Sequence, residues 1–162
     1  AVKVPATIAD TLTIICGKPF SQDATAGTLA EIFGAQNVIP ETIDGPEGEQ
    51  VNVTAIYPQD RSRRIEVTFA NEEERTVLTS VTIRGEVSEW TGPGGLNLGD
   101  GIETVERLNG KPFTMSGFGW DYGGYVTDWL RLRLRYRLHV RKRGMTARDA
   151  ASAHKQGCGE DR

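Results

Sequence analysis

Cysteine and histidine are scarce in this 162-residue chain, two of each: Cys16, Cys158, His139 and His154. No CxxC, HExxH or paired Cys/His spacing occurs, which excludes the familiar zinc sites. No apolar run reaches the roughly eighteen residues of a membrane-spanning helix. Phosphate-loop signatures are missing as well: "GPGG" and "GDG" occur, but no Gly-x-x-x-x-Gly-Lys-[Ser/Thr] or GxGxxG opens a helix after a strand. Ser116 lacks a nucleophile-elbow motif, and neither histidine has an evident nucleophile to serve. No cofactor or metal is therefore expected. The length suits one domain or two tightly packed subdomains, enough to fold without disulfides. Cys16, ending the apolar run "TLTIIC", reads as a small buried residue; a Cys16–Cys158 bridge would rest on the even count alone.

What is present is unevenly distributed. The net charge of −3 divides into nine Lys/Arg against nineteen Asp/Glu over residues 1–128, net −10, and ten against three over 129–162, net +7. The chain starts at Ala1, and "AVKVPATIADTLTIIC" is not a signal peptide as it stands; the missing Met fits a processed, exported protein.

Local patterns predict an α+β fold. "TLTIIC" (11–16) is a short β-branched strand. "SQDATAGTLAEIFG" predicts a helix capped by Asp23 and stopped by Gly34, with Leu29, Ile32 and Phe33 on one face. The acidic, breaker-rich stretch 40–50 reads as a loop. "VNVTAIY" (51–57), "RIEVTF" (64–69) and "SVTIRG" (80–85) alternate with period two, predicting an antiparallel meander with one wet face. The expected core is Leu29, Ile32, Phe33, Val53, Ile65, Val67, Val81 and Ile83, with Glu66 on the polar side. A second helix over 100–109 should be capped by Asp100 with Glu103 as its capping-box partner, and line Ile102, Val105 and Leu108 along the same packed unit. "FTMSGFGW" and "YVTDWL" then flank the turn "DYGG" as a hairpin.

The tetrapeptide "GKPF" occurs at 17–20 and 110–113. It precedes the first helix but follows the second, so the copies cannot be equivalent. The better repeat is "TLAEIFG" against "TVERLNG", each followed by strands. This gives a helix-plus-meander unit at 1–95, a truncated helix-plus-hairpin unit at 96–140, and a disordered basic and polar tail at 141–162.

The stretch "GLNLGDGIETVERLNGKPFTMSGFGWDYGGYVTDW", with "TAGTLAEIFGAQNV" and "IYPQDRSRRIEVTF" before it, resembles an uncharacterised group of bacterial envelope or lipoprotein-like sequences. The resemblance spans roughly 11–129. At the level of fold, helix plus meander repeated looks like the β-lactamase-inhibitor-protein architecture and the small lipoprotein of the outer-membrane barrel-assembly machinery. It implies a periplasmic or secreted, non-enzymatic module that binds a protein or a cell-envelope component, and it carries no catalytic residues.

Within "GFGWDYGG", Trp120, Asp121 and Tyr122, with Tyr125 beside them, are candidate partner-binding residues; the preferred reading is a tight hairpin whose aromatics cover the sheet and whose glycines supply positive φ. Asp121 or Asp128 would be the acid of a hydrolase, which requires a cleft and an up-shifted carboxylate. Glu72, Glu73 and Glu74 read as a solvated turn. The tail "LRLRLRYRLHVRKRG" offers Arg131, Arg133, Arg135, Arg137, Arg141, Lys142 and Arg143 as a basic patch for nucleic acid or anionic lipid. The alternative origin for residues from about 130 onward is out-of-frame translation, in which case that patch has no partner.

Overall fold

Thr25 sets where the first helix begins. In the computed structural model, which describes residues 12–14, 17, 19–45, 48–83, 87–117, 126 and 127, helix α1 runs over Ala26–Phe33. Thr25, not Asp23, is its N-cap: the Thr25 hydroxyl accepts from the Thr28 N–H while the Thr28 hydroxyl accepts from the Thr25 N–H, a closed capping box. Gly34 (φ +89°) ends the helix, as expected, at a backbone angle that favours glycine.

Four antiparallel strands follow in chain order, β1 (Val38–Asp44), β2 (Gln50–Ile56), β3 (Ile65–Asn71) and β4 (Thr76–Thr82). The protein is α+β, with two short α-helices and an antiparallel sheet among the described residues; a tandem repeat is not shown. Of the acidic stretch 40–50 expected to be a loop, residues 40–44 instead belong to β1, which pairs residue for residue with β2 from Val38↔Ile56 to Asp44↔Gln50, and the described residues 45, 48 and 49 lie outside the strands, as a loop. Pro40 and the acidic residues misled the reading because both are tolerated on an edge strand, where one row of backbone groups needs no partner. β4 starts at Thr76, earlier than expected, and carries a bulge: Thr68 faces Ser80 but Phe69 faces Leu78, leaving Thr79 as the extra residue.

α1 packs on one sheet face through Leu29 and Phe33, against Val38, Ile56, Ile65, Val67, Phe69, Leu78, Val81 and Ile83. Ile32 does not join them; at 36% exposed it lies toward solvent. Trp90, fully buried, meets Phe20 and Phe33 edge-on at 5.9 and 6.0 Å, and its indole N–H donates to the Arg63 carbonyl at 2.5 Å. That tie fastens the segment after β4 to the β2–β3 connection. Nearby, Thr13 pairs with Thr91 as an isolated bridge, which is as much of the predicted first strand as the described residues contain.

The alternation in β2 is the principal correction. Cα partners across the sheet place Pro40, Thr54, Val67 and Val81 in one row, and Val38, Ile56 and Ile65 in the next row of the same face. The α1 side of β2 is therefore Asn52, Thr54 and Ile56, while Val53 and Ala55 point the other way. Val53 is buried, but outside the core that contains α1. The opposite face is not simply wet either. Glu66 is 4% exposed there, with Ser80 and Thr82 also buried. Arg64 replaces water at Glu66, reaching Glu66 Oε1 at 3.0 Å and Glu41 Oε2 at 2.7 Å.

Helix α2 (Ile102–Asn109) has Gly101 as its N-cap, with no side-chain cap; Asp100 Oδ2 instead accepts from the Asn97 N–H at 2.7 Å. Gly110 closes it in the left-handed conformation at φ +72°. Val105 is buried, Leu108 half-buried and Ile102 exposed. Among the described residues Val105 and Leu108 belong to a separate cluster from the α1 core, in which Val105 packs with Val126, Leu96, Leu108 and Phe113. The two GKPF copies thus serve different cores, Phe20 in the first and Phe113 in the second. Met115 bridges Val126 antiparallel, at the base of the expected hairpin; its tip lies outside the described residues.

Candidate functional site

The strand that turns its polar residues toward the core face creates the site. α1 covers that face at the end defined by Val38, Ile56 and Ile65, and burial declines along β1 and β2 toward Asp44 and Gln50. Beyond the helix lies an open concavity of about 240 Å³. β1 lines it with Pro40 and Thr42, β2 with Asn52 and Thr54, and β3 with Val67 and Phe69. The turn between β3 and β4 contributes Glu72 and Arg75.

Rigid strands fix the polar groups here, and hydrogen bonds orient them. The Thr42 hydroxyl donates to Asn52 Oδ1 at 3.0 Å, and Asn52 Nδ2 donates to Glu72 Oε2 at 2.9 Å. One amide therefore links the edge strand, the second strand and the far turn. Glu74 is held in the same turn, its N–H donating to Asn71 Oδ1 and its carboxylate accepting from Asn71 Nδ2, both at 3.0 Å. The run Glu72–Glu73–Glu74 is an exposed turn, as expected. Arg75 stands in the left-handed region at φ +51°, and its carbonyl accepts from the Ala26 N–H, so its backbone is pinned to the start of α1. Among the described residues its guanidinium makes no ion pair.

A second polar group sits in the β2–β3 connection. The Ser62 hydroxyl lies 2.9 Å from Asp60 Oδ1 and 2.6 Å from Glu89 Oε1. With one proton to give, it serves one carboxylate at a time. The Ser62 hydroxyl, opposed by desolvation and aided by the N–H groups of Ser62 and Arg63, holds the Asp60 carboxyl below its ordinary value. These hydrogen bonds fix the turn. Arg63 lies over the Tyr57 ring at 3.9 Å, a cation–π contact that braces the same turn. At Arg64, burial acts to lower the pKa, but hydrogen bonds and charge from Glu41 and Glu66 prevail and hold the guanidinium above its ordinary value. It is a structural clamp between β1 and β3 across the intervening strand.

Among the described residues no three His, Cys, Asp or Glu side chains are placed to hold a metal ion, and no helix is long and apolar enough to cross a membrane. The residues singled out from sequence fall elsewhere. Trp120, Asp121, Tyr122, Tyr125 and Asp128, both cysteines, and the basic residues Arg131, Arg133, Arg135, Arg137, Arg141, Lys142 and Arg143 lie outside the described residues. Sequence reading missed Thr42, Asn52, Thr54 and Arg75. The available signal was Ile56: its neighbour in the hydrophobic count is Ala55, so either could be core, and choosing Ile56 turns Asn52 and Thr54 inward. Comparison with protein-family models, curated proteins and solved structures finds no match for this chain.

Proposed function

We propose that this chain is a non-enzymatic, exported binding module that recognises a protein or a cell-envelope component through the open end of its sheet. The observation that supports this reading is the inward turn of β2, which sets Asn52 and Thr54 beside Val67 and Phe69 under an uncovered concavity. A mixed surface of this kind, apolar with a few fixed donors and acceptors, is how specific recognition sites are built. The groups are already oriented before any partner arrives, so little ordering entropy opposes binding. The envelope resemblance of residues 11–129 supplies the compartment, bacterial periplasm or secretion, and the class of partner.

Thr42→Arg tests the reading. Thr42 is exposed on an edge strand, so the larger side chain fills the concavity without burying a charge. The full chain and this variant are immobilised and exposed to periplasmic proteins and to soluble peptidoglycan fragments. The expected result is saturable binding by the parent that falls at least tenfold in the variant. Equal binding by both, or none by the parent, overturns it.

A further inference from the structure

The charge pattern around the concavity narrows its ligand. Resting on the reading above, we infer that the cell-envelope component the site takes is a small zwitterion, an α-amino acid or dipeptide with an apolar side chain and both its ammonium and its carboxylate free. Three observations carry this. The volume, about 240 Å³, lies just below the roughly 300–1,000 Å³ of sites for drug-sized ligands, which sets the occupant at amino-acid to dipeptide scale.

The charged groups lining the site are of both signs, and they differ in how they are engaged. Glu41 is committed to Arg64 at 2.7 Å. Glu72 gives only Oε2 to Asn52, leaving Oε1 for a cationic donor. Arg75, three residues on in the same turn, forms no ion pair with Glu72 or with any other described residue. Its planar fork suits a carboxylate, which accepts two parallel hydrogen bonds from it. A cation and a carboxylate on one rim that leave each other unpaired match a ligand that carries the opposite two charges.

The same concavity has an apolar lining. Pro40, Val67 and Phe69 line the concavity and suit an aliphatic or aromatic side chain, whose burial there removes apolar surface from water. An anion alone would meet Glu72, and a cation alone would meet Arg75; only a molecule with both satisfies both.

The experiment uses isotope-labelled full-length chain, titrated by NMR with L-leucine, with N-acetyl-L-leucine, which lacks the ammonium, and with L-leucinamide, which lacks the carboxylate. The expected result is saturable shifts at Thr42, Asn52, Thr54 and Arg75 with L-leucine, and at least tenfold weaker binding of either blocked form. Arg75→Gln should weaken L-leucine at least fivefold while leaving L-leucinamide unchanged; Glu72→Gln should do the same while leaving N-acetyl-L-leucine unchanged. Equal affinity for the three compounds, no saturable binding, or indifference to Arg75→Gln overturns the inference. If larger partners still bind and Thr42→Arg abolishes that binding, the zwitterion is wrong and the binding-module reading stands.

Discussion

The side chain of Asn52 donates to the Glu72 carboxylate at 2.9 Å, joining the second strand to the turn between the third and fourth across twenty residues of chain. The same amide accepts from Thr42 at 3.0 Å. Both bonds are exposed, so each contributes little to folding, about 0.5–1 kcal/mol. Their value is in orientation. Asn52→Ala should lower the unfolding free energy by roughly 1 kcal/mol, measured from the urea midpoint, while reducing partner binding by a much larger factor. A variant with unchanged binding would remove Asn52 from the site.

How much of this was legible in the sequence differs by element. β3 and the end of β4 were readable because Ile65, Val67, Val81 and Ile83 alternate against polar residues and lie in the α1 core; the start of β4 was not, because the bulge at Thr79 breaks the alternation. β2 was not, because "VNVTAI" contains apolar residues at both parities, and register across the sheet decides which set faces the helix. β1 was hidden by Pro40 and by charges that an edge strand tolerates. Trp90 gives no periodic signal at all, since it lies outside a named strand and is buried by aromatic contacts from distant segments. The site followed the same logic: it arises from β2's register, and no local motif encodes it.

Trp90 should be the costliest side chain in the core to remove. Trp90→Ala deletes a fully buried ring and leaves the Arg63 carbonyl without its indole donor; the expected loss is about 3–5 kcal/mol. Trp90→Phe keeps most of the packing but still orphans the carbonyl, and should cost about 1–3 kcal/mol. Denaturant unfolding of both variants checks the order; equal losses would mean that the packing of the ring contributes nothing beyond the hydrogen bond, and no loss in Trp90→Phe would mean that the hydrogen bond contributes nothing.

Arg64 holds two carboxylates, one of them on the nearly buried Glu66. Arg64→Met removes the guanidinium from that carboxylate. Losing one partner of a fully buried pair costs roughly 3–5 kcal/mol, and because the Arg64 side chain is itself 23% exposed, screening by solvent reduces the expected loss to about 1–3 kcal/mol. Adding Glu66→Gln should recover part of it. A double variant less stable than Arg64→Met would contradict the clamp.

Asp60 ties stability to pH. Its carboxyl is held below the ordinary value, chiefly by the Ser62 hydroxyl, so the folded state favours its charged form. That contribution is present above the unfolded value, about pH 3.9, and is lost as pH falls through the lower folded value. Asp60→Asn should therefore flatten the melting-temperature curve below about pH 4 relative to the parent. Parallel curves in that range would show that Asp60 has no such role.

The most direct test of the open sheet end as the recognition surface is site-specific photo-crosslinking. A photo-reactive residue replaces Thr42 in one full-length sample and Ile32, on the solvent side of α1, in another. Both are irradiated with periplasmic proteins and with soluble peptidoglycan fragments. The account predicts a defined adduct from position 42, none from position 32, and loss of the adduct when unmodified parent chain competes. Equal adducts from both positions, or adducts from position 32 alone, would contradict it.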